Sequence, residues 1–176
     1  ISVHITLAEW FCPRKDHPKY WRVRPELSGT GVSGDVGSHR LDLLEWWFGR
    51  LSVIWSTGEN RLHDYPAEDT AAFMIRLDDF NGALAFADFS WAAGVKSDRI
   101  DIIGSDARIV SDPLDGTEFS VITSEGKVME KADVVKNVHL PLVEDFINAV
   151  ENNQQPACPA RQALQTDTIL EAIKRD

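Results

Sequence analysis

From Leu51 onward the chain is a succession of short apolar runs broken by turn signals, and no link between them is long enough to hold a crossover helix. Leu51–Glu59, Asp69–Leu77, Ala83–Trp91, Arg99–Ile103, Ala107–Val110, Phe119–Thr123 and Lys127–Glu130 read as strands. Parallel neighbours need connections of roughly a dozen residues or more, so this stretch predicts a largely antiparallel sheet. Asp78-Asp79-Phe80-Asn81-Gly82 reads as a hairpin link, Asn-Gly supplying the positive φ angles of its turn. Later breaks fall at Gly104-Ser105, Asp115-Gly116 and Glu125-Gly126. A further strand opens the chain at Ser2–Glu9, where Val3, Ile5 and Leu7 alternate with His4, Thr6 and Ala8.

Helical spacing predicts three helices. One runs from Val32 to Phe48 and stops at Gly49. A second spans Leu140–Asn152, with Leu142, Val143, Phe146, Ile147 and Val150 on one side, and a third spans Ala160–Lys174, with Leu164, Ile169, Leu170 and Ile173. The loop after the first strand carries Pro13 and Pro18 among Arg14, Lys15, Asp16, His17 and Tyr20, which predicts irregular structure. At 176 residues the chain is one domain, 1–176. The class is α+β, an open, largely antiparallel sheet with helices on one face.

Composition narrows the partners. Eighteen basic residues against 28 acidic ones leave a formal charge of −10, which argues against nucleic acid and against an anionic membrane surface. No apolar run approaches the length of a spanning helix, and the start lacks a signal-peptide layout. Cys12 and Cys158 are far apart and without metal-ligand spacing, so the expectation is a reduced, cytoplasmic protein without a disulfide framework. The chain begins with Ile1, already inside a strand, and is read as a fragment whose missing part lies upstream.

The strands also carry an expectation about assembly. Ala71, Phe73, Ile75 and Leu77 fall on one face of their strand, and Ala72 and Met74 join Arg76 on the other. In the next strand Leu84 and Phe86 oppose Ala83, Ala85, Ala87, Phe89 and Trp91. A sheet with one wet face alternates cleanly between apolar and polar, and these strands do not. Three helices cover one face, so the other is expected to self-associate as a dimer or tetramer.

Chemistry concentrates in Asp35-Val36-Gly37-Ser38-His39-Arg40-Leu41-Asp42, after the glycine-rich stretch Ser28–Gly34. In an α-helix Asp35, His39 and Asp42 form one polar row, opposite Leu41, Leu44 and Phe48. A carboxylate one turn before an imidazole orients the ring, and histidine is the side chain suited to moving protons near neutral pH. Early in its helix, His39 would feel the positive end of the dipole, which favours the neutral, proton-accepting form. Gly37 inside a helix costs about 1 kcal/mol relative to alanine, which suggests close approach by another backbone or a substrate, with tight helix-to-sheet packing as the alternative.

The segment Trp21–Gly49 resembles the second domain of the Gfo/Idh/MocA family of NAD(P)-dependent oxidoreductases, whose pattern is roughly W-R-x-x-P-x-x-x-G-G-G-x-x-x-D-x-G-x-H-x-x-D. Trp21-Arg22, Pro25, Gly29, Gly31, Asp35, Gly37, His39, Asp42 and Gly49 follow it, with Thr30 at the middle glycine. The resemblance implies the fold of a glyceraldehyde-3-phosphate-dehydrogenase-like C-terminal domain, acting in a longer protein that moves hydride between a nicotinamide and a sugar, cyclitol or related polyol. It implies His39 as acid/base, and Asp35 as the residue that orients it or binds the substrate hydroxyl. Trp21, Arg22 and Asp42 are candidate substrate contacts, although Arg22 also suits an ion pair and Asp42 a helix surface. Gly37 is the candidate approach to the nicotinamide.

The family completes its site with a lysine of an E-K-P motif in a Rossmann domain, and this chain contains neither. Glu130-Lys131-Ala132 lacks the proline and ends a strand. Gly29, Gly31 and Gly34 have the spacing G-x-G-x-x-G but follow a loop and lack an acidic ribose partner, so a turn that seats the helix explains them better. NAD or NADP is therefore expected in the full-length protein and not on this chain alone. Asp35, His39 and Asp42 offer an N/O set for a metal, but without further histidines at helical spacing no metal is expected. His4, His17, His63 and His139 read as structural. A noncatalytic ligand-binding or oligomerisation module is the alternative function.

Overall fold

The computed structural model describes residues 1–133 and 135–173, so Val134 and the predicted end of the last helix at Lys174 lie outside the described residues. Eight strands form one sheet: β1 Ser2–Trp10, β2 Leu51–Glu59, β3 Thr70–Leu77, β4 Ala83–Ser90, β5 Ala92–Ile103, β6 Arg108–Ser111, β7 Glu118–Thr123 and β8 Gly126–Lys131. Their order is β2-β3-β4-β1-β5-β6-β7-β8. Every neighbouring pair is antiparallel except β1 with β4, where the first strand inserts between the two arms of the later meander. The hairpin between β3 and β4 turns at Asn81 and Gly82, with φ of 55° and 65°, and closes with Ala83 N–H donating to the Phe80 carbonyl.

β5 differs from expectation: it starts at Ala92, not Arg99. Ala92-Ala93-Gly94-Val95 shows no apolar alternation, and its extended state comes from pairing with β1, where Trp10 lies opposite Ala92. Tertiary pairing overrides the weak local pattern. The proline-rich loop is also less irregular than expected, ending in a 3-10 turn at Tyr20–Val23 and the short helix α1, Pro25–Ser28.

The motif helix opens with a π turn, Ser33–Gly37, and continues as α2, Ser38–Phe48. Leu41, Leu44 and Phe48 are buried in the main core with Val3, Ile5, Phe73, Ile75 and Phe89, as their spacing requires. Helices α3, Leu140–Glu151, and α4, Ala160–Ile173, follow the sheet. α4 seats Ile169 in the core, but Leu164 stays exposed. The predicted apolar side of α3 is exposed throughout, from Leu142 to Val150, and only Ala149 is buried.

Helices thus lie on one face of the sheet but cover only part of it. Beyond α2, an apolar groove of about 560 Å³ lined by Phe48, Ile100, Ile102, Ile109, Leu114 and Phe119 remains open. Among the described residues no helix is long and apolar enough to cross a membrane. Cys12 and Cys158 are both free and exposed.

Candidate functional site

The start of the motif helix is seated by two contacts that only glycine permits. A Cβ on Gly31 would lie 2.2 Å from the Glu68 carbonyl oxygen, and Val32 N–H donates to that same oxygen at 3.0 Å. A Cβ on Gly37 would lie 2.8 Å from the Phe89 ring of β4. The loop that carries Glu68 is fixed by Asp69, fully buried, whose carboxylate accepts from the N–H groups of Arg61, Leu62 and His63 and from the Thr70 hydroxyl. His63 is structural as expected: buried, stacked on Tyr65 and 3.0 Å from the Trp91 carbonyl.

Seated in this way, the π turn and the first turn of α2 face the end of β1 and the middle of β5 across an open cleft of about 280 Å³. Asp35, Val36, His39 and Arg40 form one wall, Leu7 and Glu9 come from β1, Lys96 and Asp98 from β5, Arg22 from the 3-10 turn and Asp115 from a loop. Asp35 and His39 are therefore brought together in one cleft. They are not hydrogen-bonded to each other: among the described residues the Asp35 carboxylate is held by Arg22, with Nη1 donating to Oδ2 at 2.9 Å. The carboxylate and the imidazole thus line the same cleft without a direct bond. The His39 ring is exposed to the cleft and makes no hydrogen bond or ion pair among the described residues.

Trp21 stands beside the cleft with the Arg22 guanidinium 5.5 Å above its ring. Asp42 is turned away from it, toward Glu45 and Cys158; after their own burial, its charge helps push both of those groups up. The α-helical row of Asp35, His39 and Asp42 is therefore broken. The close approach seen at Gly37 is that of the Phe89 ring, a helix-to-sheet contact.

The sequence reading missed Glu9, Arg40, Lys96 and Asp98. Arg40 Nη2 donates to both carboxylate oxygens of Asp98 at 2.7 Å, and this pair ties α2 to β5 directly behind the cleft. Asp98 shares inward parity with Ile100 and Ile102, and a carboxylate at an inward strand position signals a buried partner. The larger apolar groove lined by Ile100 and Phe119 has no titratable side chain.

The glycine-rich string Gly29–Gly34 is not open as a pyrophosphate cradle would be. The space beside Gly31 is filled by the backbone of Glu68, and a Cβ on Gly34 would meet the Thr30 hydroxyl, so the G-x-G-x-x-G spacing seats a helix start. Among the described residues no group of three or more His, Cys, Asp or Glu is placed to share a metal ion.

Residues 1–110 match the model of the GFO/IDH/MocA C-terminal domain. Among solved structures, a levoglucosan dehydrogenase in complex with NADH and levoglucosan superposes with a TM-score of 0.79 at 17% identity, covering 99% of this chain and 56% of that one. The aldose-aldose oxidoreductase of Caulobacter crescentus gives 0.83 at 19%, covering 99% and 52%. An oxidoreductase of Agrobacterium radiobacter in complex with NAD+, L-tartaric acid and magnesium gives 0.75 at 18%, covering 99% and 53%. At these identities the likeness is one of fold, and the chain spans little more than half the length of each relative.

Proposed function

Because this chain belongs to the GFO/IDH/MocA C-terminal domain family, we propose that it is the substrate-binding and oligomerisation domain of a longer cytoplasmic oxidoreductase acting on a sugar, cyclitol or related polyol. The observation that carries this reading is the polar cleft shared by Asp35 and His39 at the start of the motif helix. NAD or NADP, carried by a part of the protein other than this chain, supplies the hydride acceptor for the carbinol carbon.

The work of this chain is to hold the substrate and move a proton. His39, unpartnered in the cleft, takes the proton of the substrate hydroxyl and returns it in the reverse direction. The Arg22–Asp35 pair presents a carboxylate acceptor to the same hydroxyl or its neighbour. The Trp21 face beside it suits sugar C–H surface, and Arg40 with Asp98 keeps the helix at a fixed distance from β5. Asp42 bears on this site only through the helix that carries it.

Self-association is the second part of the proposal. On the sheet face away from α2, Trp55, Met74, Phe86 and His4 lie directly opposite one another across β2, β3, β4 and β1, and the His4 and Phe86 rings stack at 5.1 Å. The row ends in the ionic cluster of Arg99, Asp101 and Arg108, so the apolar half of the face forms the dimer contact. Light scattering tests it: a monodisperse monomer at high micromolar concentration contradicts the interface.

The activity is tested on the intact protein by following reduced nicotinamide with a panel of sugars and polyols and both cofactors. Turnover supports the oxidoreductase. Folded protein that binds a sugar but never reduces a cofactor favours a noncatalytic binding module. Calorimetry of this chain alone is expected to show no tight NAD(H) or NADP(H) binding.

A further inference from the structure

Each cation that lines the cleft already has a carboxylate of its own. Arg22 pairs with Asp35 at 2.9 Å, Arg40 with Asp98 at 2.7 Å, and Lys96 with Asp115 at 3.6 Å. Three cations thus face four carboxylates, and Glu9 is the one left over. It stands half-buried at the end of β1, where it has neither an ion pair nor a hydrogen bond among the described residues. The Lys96–Asp115 pair is exposed enough to open, but releasing Lys96 also releases Asp115, and the balance of charge does not change.

An ionised carboxylate only accepts hydrogen bonds. A hydroxyl meets it as a donor, whereas a second carboxylate or a phosphate meets it as a like charge with nothing to donate. A site built for an anion instead offers an uncommitted guanidinium, commonly in bidentate geometry. Among the described residues that line this cleft there is none.

We propose that Glu9 is a specificity-determining residue of the cleft: its free carboxylate accepts a hydroxyl of a neutral polyhydroxylated substrate and turns away the matching sugar acid or sugar phosphate. The inference rests on the reading of this cleft as the substrate site of an oxidoreductase.

The test uses the intact enzyme with both cofactors and matched substrates: glucose with glucuronate and glucose 6-phosphate, galactose with galacturonate. The neutral member should have a kcat/KM roughly tenfold or more above its acid, because like charges brought together at a binding site are strongly disfavoured. The difference should lie in KM. Glu9→Gln keeps an acceptor but removes the charge, and should narrow the ratio severalfold by lowering KM for the acid while leaving its kcat. Glu9→Asp should keep the discrimination. Turnover of none of these and of no other sugar or polyol of the panel, with either cofactor, removes the oxidoreductase reading and this inference with it. Turnover that favours the acid, or a ratio unmoved in folded Glu9→Gln, overturns the Glu9 assignment alone. The wild-type ratio stands as a test whether or not the variant folds.

Discussion

Arg22 Nη1 donates to Asp35 Oδ2 at 2.9 Å, so the carboxylate four residues before His39 is held by a guanidinium from the loop that precedes its helix. Under the proposed function the two act as one unit. Arg22→Ala and Asp35→Asn should each lower kcat/KM of the intact enzyme about 10- to 100-fold, or about 1.4 to 2.7 kcal/mol. The double variant should cost little more than either alone, because both remove the same pair. Kinetics on the four proteins of the cycle check this, and additive losses would mean that the residues act separately.

Arg40 and Asp98 are a stability pair, with the Asp98 side chain only 2% exposed. Arg40→Ala strands a buried carboxylate and should destabilise by about 3–5 kcal/mol, while Arg40→Met with Asp98→Leu should be close to neutral. Urea titration measures both. A loss under about 1 kcal/mol for Arg40→Ala would show that water replaces the guanidinium.

Much of this architecture was legible in the sequence because turns punctuate it. Asn81-Gly82 marked its hairpin, and the alternation of Phe73, Ile75 and Leu77 marked the buried face. Burial of Leu41, Leu44 and Phe48 followed from helical spacing. Of the candidate cleft, Asp35 and His39 were legible as neighbours, since the motif sets them four residues apart. Its partners were not: Glu9, Lys96 and Asp98 sit on strands far apart in sequence, and only the antiparallel register of β1 with β5 sets them beside the helix. The π turn was hidden for a related reason. The approach of Glu68 to Gly31 and of Phe89 to Gly37 around it is tertiary, and no local period encodes it.

Gly37→Ala separates packing from cofactor approach. Alanine is the better helix former by about 1 kcal/mol, but here its Cβ would meet the Phe89 ring at 2.8 Å, and that ring is fully buried. Overpacking should win, for a net loss of about 1–3 kcal/mol, partly recovered by Phe89→Leu. Thermal unfolding reads this, and a stabilised Gly37→Ala would show that the space is free.

Asp69 predicts an acid limb of stability. Burial alone would raise its carboxyl, but the N–H groups of Arg61, His63 and Leu62 and the Thr70 hydroxyl outweigh it and hold the group below its ordinary value of 3.8. The folded value lies below the unfolded one, so this stabilisation is complete above the unfolded value and is lost as pH falls through the folded value. Asp69→Ala should cost about 1.5–3 kcal/mol at neutral pH and flatten the acid limb. Denaturation across the acid range checks it, and an unchanged limb would place the acid sensitivity elsewhere.

In the proposed function His39 moves the proton. Steady-state kinetics of His39→Ala in the intact enzyme, beside a titration of cofactor affinity, test this most directly. General acid/base catalysis contributes about 10² to 10⁴ in rate, so kcat should fall by a factor in that range while cofactor affinity stays near that of the parent. Unchanged kcat on an identified substrate would remove His39 from the mechanism.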